Sequence, residues 1–338
     1  MTEQGPQDQD SQALPDTVRE RVALFIEQTI ANTQAPTSET PRTEASPEST
    51  ASAIFDILTG RRFSSLGRKR TAPFWEPVTE RLATNIRPGE PVHFYYDVGP
   101  GYHASLRPGI DELTFTVGLS ELLILSQIAS FRRRVSEVYA GGVRFNLVID
   151  NLCGLATNGV AVDDTTAYCA DLRSLISATG MSDTVGLTVE SEAFSPPGYE
   201  LSEEEVTRDA TRFDPSPKDV ENVERFLGRR CSVEEAAERM ARYELATATT
   251  ERLLAGVVKG VRMTQRATSG TLGFRPFSGG DSRTQCGQVV LTTGSSQKIR
   301  PVLLTSQNVD DYVSTRLTFP DALPPVVSHV TYSERRDG

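Results

Sequence analysis

Lysine is scarce in this chain of 338 residues, occurring only at Lys69, Lys218, Lys259 and Lys298, so almost every permanent cation is arginine. Recognition of an anionic group therefore falls to the planar guanidinium fork more than to a flexible ammonium. Histidine is as scarce, with His93, His103 and His329, and few side chains can exchange a proton near neutrality. The 4 cysteines, Cys153, Cys169, Cys231 and Cys286, make no CxxC pair and have no histidine at ligand spacing. That spacing indicates neither a zinc cage nor a dense disulfide framework, and reduced, structural thiols are expected. No apolar run is long enough to span a bilayer, and Met1 to Gln12 lacks the basic lead and apolar core of a secretion signal. A cytoplasmic protein without a membrane partner is expected. With 35 Lys+Arg against 45 Asp+Glu the net charge is -10, which repels phosphate backbones and argues against a nucleic-acid partner. Walker, GxGxxG and GxSxG signatures are absent as well, so neither nucleotide-fold fingerprints nor a serine-hydrolase elbow is present.

What is present begins with Leu14, Val18, Val22, Phe25, Ile26 and Ile30 on one helical face, followed by a Pro, Ser, Thr and Glu-rich stretch from Thr33 to Ser52. The spacing predicts an N-terminal amphipathic helix and flexible tether over residues 1–52, a body over 53–330 and a polar tail over 331–338. The helix either docks a partner or folds back on the body, and spacing leaves both open.

The body alternates in period. Val92 to Val98, Val143 to Asp150 and Val185 to Glu190 read as strands, and Ser120 to Tyr139 and Thr165 to Thr179 as helices. In the first helix Ile124, Ile128, Phe131, Val135 and Val138 make the apolar stripe, with Ser120 as cap and Gly141-Gly142 as the left-handed stop. The Arg132 to Arg134 run reads as its solvated face. Ser195 to Pro217 reads as a surface excursion or lid. Ser232 and Glu235 form a capping box for a later helix carrying Met240 and Leu254, with an interruption near Thr247 to Thr250. Gly287 to Thr293 and Lys298 to Leu304 flank a Gly-Ser-Ser turn as a hairpin. The fold class is α/β: a Rossmann-like, largely parallel sheet with helices on both faces and a mixed C-terminal hairpin region.

In such sheets ligands bind beyond the carboxyl ends of strands, so the segments after Val98, Asp150 and Glu190 hold the candidate site. The first runs Asp97-Val98-Gly99-Pro100-Gly101-Tyr102-His103-Ala104-Ser105 and gathers an acid, a phenol, an imidazole and a hydroxyl on a flexible loop. Tyr102 and His103 are candidate acid-base groups, flanked by Asp97 and Ser105. Asp150, at a strand end, can orient an amine, and Glu121, in a helix's first turn, can join it or simply support the helix start. Asp163, Asp164, Glu190 and Glu192 are further acids without diagnostic spacing, and no metal is expected. Around Ser278-Gly279-Gly280, Arg275 and Arg283 suit a carboxylate or phosphate, with Lys298 and Arg300 following on the hairpin.

Taken together, Ile54-Phe55-Asp56-Ile57-Leu58 with Arg61-Arg62, Gly89-Glu90-Pro91-Val92-His93-Phe94, Glu121, Tyr139-Ala140-Gly141-Gly142, Val143 to Asp150, Tyr168, Met240-Ala241-Arg242-Tyr243-Glu244, Phe274-Arg275 and the Lys298 hairpin resemble the isocyanide (isonitrile) synthase and dityrosine-biosynthesis family. The resemblance implies a Rossmann-like enzyme of bacterial secondary metabolism that converts an amino acid's α-amine into an isonitrile, using a phosphoketose, ribulose 5-phosphate, as carbon source. No metal or redox cofactor is implied. Tyr102, His103 and Asp150 would serve the reacting centre, while Asp97, Ser105, Glu121, Arg275, Ser278, Arg283 and Lys298 would bind substrate. The chain departs from the family at Pro100 to Ser105, where a lysine-bearing Phe-Pro-Phe-Lys-Ser segment is replaced. It departs again after Phe274-Arg275, where the family histidine is missing, and at Arg300-Pro301-Val302-Leu303, which replaces Pro-Trp-His. The expectation is therefore a divergent enzyme acting on an amino acid or related amine with ribulose 5-phosphate or another carbonyl compound. The alternative is a catalytically silent relative that binds a ligand or a pathway protein through the N-terminal helix.

Overall fold

Val92, Phe94 and Tyr96 are buried along one strand, β1 (Val92–Val98), which is flanked on both sides and so forms the centre of a five-stranded sheet. The computed structural model describes residues 15–37, 46–64, 75–87, 89–98, 102–103, 114–115, 117–159, 161–194, 199–227, 229–264, 272–274, 288–294, 297–304, 311–319 and 329–336. On one side of β1 lie β4 (Val143–Ile149) and then β5 (Val185–Val189), and on the other β6 (Val261–Thr264) and then β7 (Leu272–Gly273), every neighbouring pair being parallel. The chain thus winds outward in one direction and returns to the far side of β1, the doubly wound order with its switch between β1 and β6. The short β2 (Tyr102–His103) and β3 (Thr114–Phe115) pair antiparallel after β1.

Parallel strands need long crossovers, and the first is α4 (Leu119–Ser136). Its expected stripe is buried at Ile124, Ile128, Phe131 and Val135, but so are Leu122, Leu123, Leu125 and Ala129. The extra burial arises because α1 (Asp16–Gln34) and α2 (Pro47–Leu58) pack against α4 on the side away from the sheet. Phe131 reaches the sheet edge-on to Phe94 and Phe145, at ring distances of 5.6 and 5.7 Å, while Phe94 and Phe145, register partners in β1 and β4, stack at 5.4 Å. Such contacts add to area burial, and together these rings fix the strand pair against its crossover.

Several expectations at element ends are corrected. The cap of α4 is Gly118, one position outside a helix that begins at Leu119, so Ser120 is not its N-cap. The Arg132 to Arg134 run is not a uniformly solvated face: Arg133 donates to the Asn32 carbonyl at 2.6 Å and to its side chain, satisfying the last turn of α1, and Arg132 donates to Thr184 at 2.6 Å. Only Arg134 is exposed, beside Glu137. Of the two placements open to the N-terminal helix, the structure has the folded-back one, with Val22 and Ile26 fully buried. The expected tether is helical from Pro47, because Ser46 caps α2 and the proline occupies its first turn.

The remaining helices are α3 (Trp75–Asn85), α5 (Asn151–Asn158), α6 (Thr166–Ala178), α7 (Glu190–Ala193), α8 (Glu203–Ala210), α9 (Pro217–Leu227) and α10 (Val233–Leu254). Ser232 caps α10 through the Glu235 amide as expected, but α10 runs without interruption through Thr247 to Thr250. Within the expected surface excursion, α8 is helical and its Glu203 is clamped by Arg242 of α10 at 2.6 and 2.9 Å. The hairpin is present as β8 (Gln288–Thr293) and β9 (Ile299–Leu304). It belongs to a second, mixed sheet that adds β10 (Tyr312–Thr318) and β11 (His329–Arg335) in the order β10-β11-β8-β9. The expected polar tail is therefore in part a strand: Val330 and Tyr332 are buried in β11, and Ser333 bonds Ser314 at 2.7 Å. Val289, Leu291 and Tyr332 join the same core as the parallel sheet. Among the described residues no helix is long and apolar enough to cross a membrane.

Two measurements test this packing. Gly260 has φ +119 and an added Cβ would lie 2.2 Å from the His93 carbonyl of β1, so Gly260→Ala should lower stability by about 3 kcal/mol or more in urea unfolding. Burial pushes the Cys169 thiol from 9.0 up to about 11. The unfolded thiol then ionises first, and native stability falls as pH rises from 9 to 11, by up to about 1.4 kcal/mol per pH unit. Cys169→Ala should flatten that fall, and an unchanged alkaline slope would assign it to other groups.

Candidate active site at the carboxyl edge of the parallel sheet

Register decides which residues leave the sheet together. Ile149 pairs with Val189 and Val98 pairs with Ile149, so the chain emerges from β4 at Asp150, from β5 at Glu190 and from β1 after Val98, side by side at one edge. Two of these exits carry acids. A third acid, Glu121, stands in the first turn of α4, the crossover helix that follows β1.

The acids have different partners. Glu121 is buried: one carboxylate oxygen accepts from the Gly118 amide at 2.8 Å and the Ser120 hydroxyl at 2.7 Å, and the other from the Tyr168 hydroxyl at 3.2 Å. It therefore closes the start of α4 and joins it to α6. Glu190 has no exposed surface, and its Oε2 accepts from the Leu152 and Cys153 amides at 3.0 and 2.9 Å. Its Oε1 accepts from the Thr250 hydroxyl of α10 at 2.6 Å, and Tyr199 lies 2.5 Å from that hydroxyl while donating to the Ala246 carbonyl at 2.8 Å. A buried carboxylate with three donors on it is the condition under which its charge is tolerated inside. Burial, reinforced by Cys153 and Glu190, pushes the Tyr199 phenol well above its ordinary value, so it stays protonated. Asn151 completes the frame, donating to Thr165 at 3.0 Å and Ser191 at 2.8 Å and accepting from the Ser191 amide at 3.1 Å.

Asp150 is the half-buried acid of the three, standing at the N-cap of α5 without a side-chain capping bond. Asp97 lies opposite Val148 near the end of β1, and Tyr102 and His103 follow in β2, their backbones paired with Phe115 and Thr114. The structure thus brings Asp97, Tyr102, His103, Glu121 and Asp150 to the segments at or following one sheet edge. Ser105, Arg275, Ser278 and Arg283 lie outside the described residues. Lys298 is exposed on the β8–β9 turn beside Gln297, which accepts from Arg21 of α1, and is not at a strand end of the parallel sheet. His93, at the opposite end of β1, is lowered in pKa by burial and by the Arg144 and Lys259 charges, and takes no part in this edge.

Sequence reasoning missed Asn151, Tyr199 and Thr250 and left Glu190 unselected. For Glu190 a signal existed, since it follows a parallel strand as Asp150 does. For Tyr199 and Thr250 none did, because only the packing of α10 brings them to that carboxylate. No group of three His, Cys, Asp or Glu able to hold a metal occurs among the described residues.

No family model and no curated protein matches the sequence. The structure is similar to the crystal structure of the PvcA protein from Pseudomonas aeruginosa, with a TM-score of 0.59, over 83% of this chain and 99% of that chain at 16% identity. At that identity the likeness is one of fold. A tryptophanyl-tRNA synthetase homolog from Entamoeba histolytica and a tryptophanyl-tRNA synthetase from Encephalitozoon cuniculi align with 70% of this chain at 10% identity and TM-scores of 0.29 and 0.30.

The Glu121 network predicts an ordered set of stabilities. Glu121→Ala, which strands three donors, should cost about 3 kcal/mol in urea unfolding, and Tyr168→Phe about 1 kcal/mol. Equal penalties would show that the carboxylate's helix-start bonds contribute little.

Proposed function

We propose that this chain is a divergent isonitrile-synthase-like enzyme of secondary metabolism that acts on the amino group of an amino acid or related amine. The observation that carries the proposal is the placement of Asp150 at the carboxyl edge of a doubly wound parallel sheet, beside the exit of β1. A ligand crevice is built there in sheets of this winding, and a carboxylate there suits an ammonium. The fold likeness to PvcA, a protein of the pyoverdine and isonitrile-synthase type, extends over 83% of this chain. Glu121 and Tyr168, two separate elements of that resemblance, are hydrogen-bonded to each other.

In this reading Asp150 holds the substrate ammonium, and Tyr102 and His103, on the segment after β1, exchange protons with it. The amine must lose a proton before it attacks the ketone of ribulose 5-phosphate or another carbonyl compound, and the condensation expels water to leave an imine. Arg275 and Arg283, with Ser105 and Ser278, supply donors for the carboxylate and phosphate. The silent-relative alternative relied on α1 as a docking element, and the apolar stripe of α1 is covered by the body.

Incubation of the protein with a panel of L-amino acids and ribulose 5-phosphate, followed by tetrazine trapping and accurate mass measurement, should reveal a trapped isonitrile. Asp150→Asn should lower kcat/KM by about 100-fold, the scale of losing one partner of a desolvated charge pair. An amino-acid panel that remains wholly unconsumed would overturn the enzymatic reading, and a consumed amino acid with a different product mass would redirect the chemistry.

A further inference from the structure

We infer that Arg62 and Arg133 form a binding site for a small phosphate ligand, where the end of α1 and the turn after α2 meet the outer face of α4. Arg62 donates from Nη2 to the Ser130 hydroxyl at 2.8 Å, and Arg133 reaches the same oxygen from its own Nη2 at 3.3 Å. The side-chain amide of Asn32 adds a third donor to it at 3.1 Å. A serine hydroxyl has two acceptor lone pairs, so the donors outnumber what this oxygen can take. The two guanidinium nitrogens that share it lie within about 6 Å of each other, close enough for their charges to repel.

Neither of these charges is balanced by an acid. Arg134 has Glu137 at 3.1 Å, and Arg132 has the Asp183 charge nearby, but no carboxylate pairs with Arg62 or Arg133 among the described residues. Burial and the Arg62 and Arg132 charges lower the Arg133 pKa, as expected for a cation set among cations. Capping of the last turn of α1 accounts for Arg133 Nη1 on the Asn32 carbonyl, but not for a second guanidinium aimed at Ser130. The pair has a buried floor and an open top: Ser130 is 3% exposed, while Arg62 is exposed and its carbonyl is held by the Gln127 side chain at 2.6 Å. A phosphate monoester carries about two negative charges at neutral pH and three acceptor oxygens, which match two guanidinium charges and their surplus N–H groups. The chain's net charge of -10 disfavours a nucleic acid as the source of that phosphate, which leaves a small phosphorylated molecule or free phosphate. Ser130 and Arg133 belong to the last two turns of α4, which lead to the start of β4, whereas the strand exits lie at its other end. The site is therefore separate from the candidate active site, and the inference does not rest on the proposed function.

The test uses the full chain with inorganic phosphate as the probe. Calorimetric titration at low ionic strength should show binding that Arg62→Gln weakens by roughly tenfold or more, the scale of one charge-assisted hydrogen bond. Arg134→Gln, which removes an exposed cation from the same helix, should leave it unchanged. Equal weakening by both variants overturns the inference, as does phosphate binding that survives Arg62→Gln intact or is absent from the wild-type chain. The side-chain Nε resonances of Arg62 and Arg133 give a reading tied to the site. Both should shift on adding phosphate, and resonances that stay in place overturn the assignment even if phosphate binds at the strand exits. Phosphate should also raise the urea midpoint more in the wild-type chain than in Arg62→Gln, and an equal rise in both overturns the inference. Repeating the titration with glycerol 3-phosphate separates the two sources: tighter binding than phosphate identifies a phosphorylated metabolite as the ligand, and weaker binding identifies free phosphate.

Discussion

The parallel pairing of β1 with β4, and of β4 with β5, is the constraint on which the rest of this molecule depends. Parallel neighbours cannot be joined by a tight turn, so α4 and α6 must carry the chain back across the sheet. Those helices bury the sheet's face, which is why the strands are apolar and why Phe131 meets Phe94 and Phe145 in one cluster. The same pairing sends every strand out at one edge. Polar residues that would be scattered in an antiparallel sheet are thereby gathered, and the gathering is a consequence of topology before any chemistry is chosen.

Gathering acids creates an electrostatic problem that the chain solves by giving each a different environment. Glu121 and Glu190 are buried and carry backbone amides on their carboxylates, so each is part of the framework that starts a helix. Asp150, at the exit of β4 between those of β5 and β1, is half-buried and makes no side-chain capping bond to the helix it starts. Carboxylates so similar in intrinsic acidity can serve structure or ligand binding, and the difference lies in which amides are within reach. The buried pair also protects the edge from collapse, because strand ends and helix starts are tied at Asn151, Ser191, Thr165 and Thr250.

The strands and crossovers could be read from periodicity because each answers to local rules: alternation in β1, β4 and β5, and a three-to-four step in α4. The strand of residues 329–335 and the burial of Arg132 and Arg133 could not, because both depend on a partner distant in the chain. Thr331 and Ser333 read as a polar tail until β8 and β10 lie beside them, and Arg133 reads as solvated until the end of α1 arrives. The site divides in the same way. Asp150 could be found from its place after a strand, whereas Tyr199 and Thr250 acquire meaning only when α10 docks on the carboxylate of Glu190. Local pattern selects elements; contact between remote elements selects which polar residue is buried, and so which remains for a ligand.

The scarcity of lysine then bears on where carbonyl chemistry can occur. An enzyme-bound imine requires a lysine amine held at the reacting edge and kept from solvent. Among the described residues the lysines are Lys218, Lys259 and Lys298, all exposed, on α9, ahead of β6 and on the β8–β9 turn, and none of these lies at the carboxyl edge of the parallel sheet. Arginine cannot substitute, because a guanidinium holds its proton and does not attack a carbonyl. In the proposed reaction the imine nitrogen is the substrate's own, and the protein's contribution is to hold that amine on Asp150 and to move its protons. An edge that gathers acids beside hydroxyl groups is suited to that division of labour.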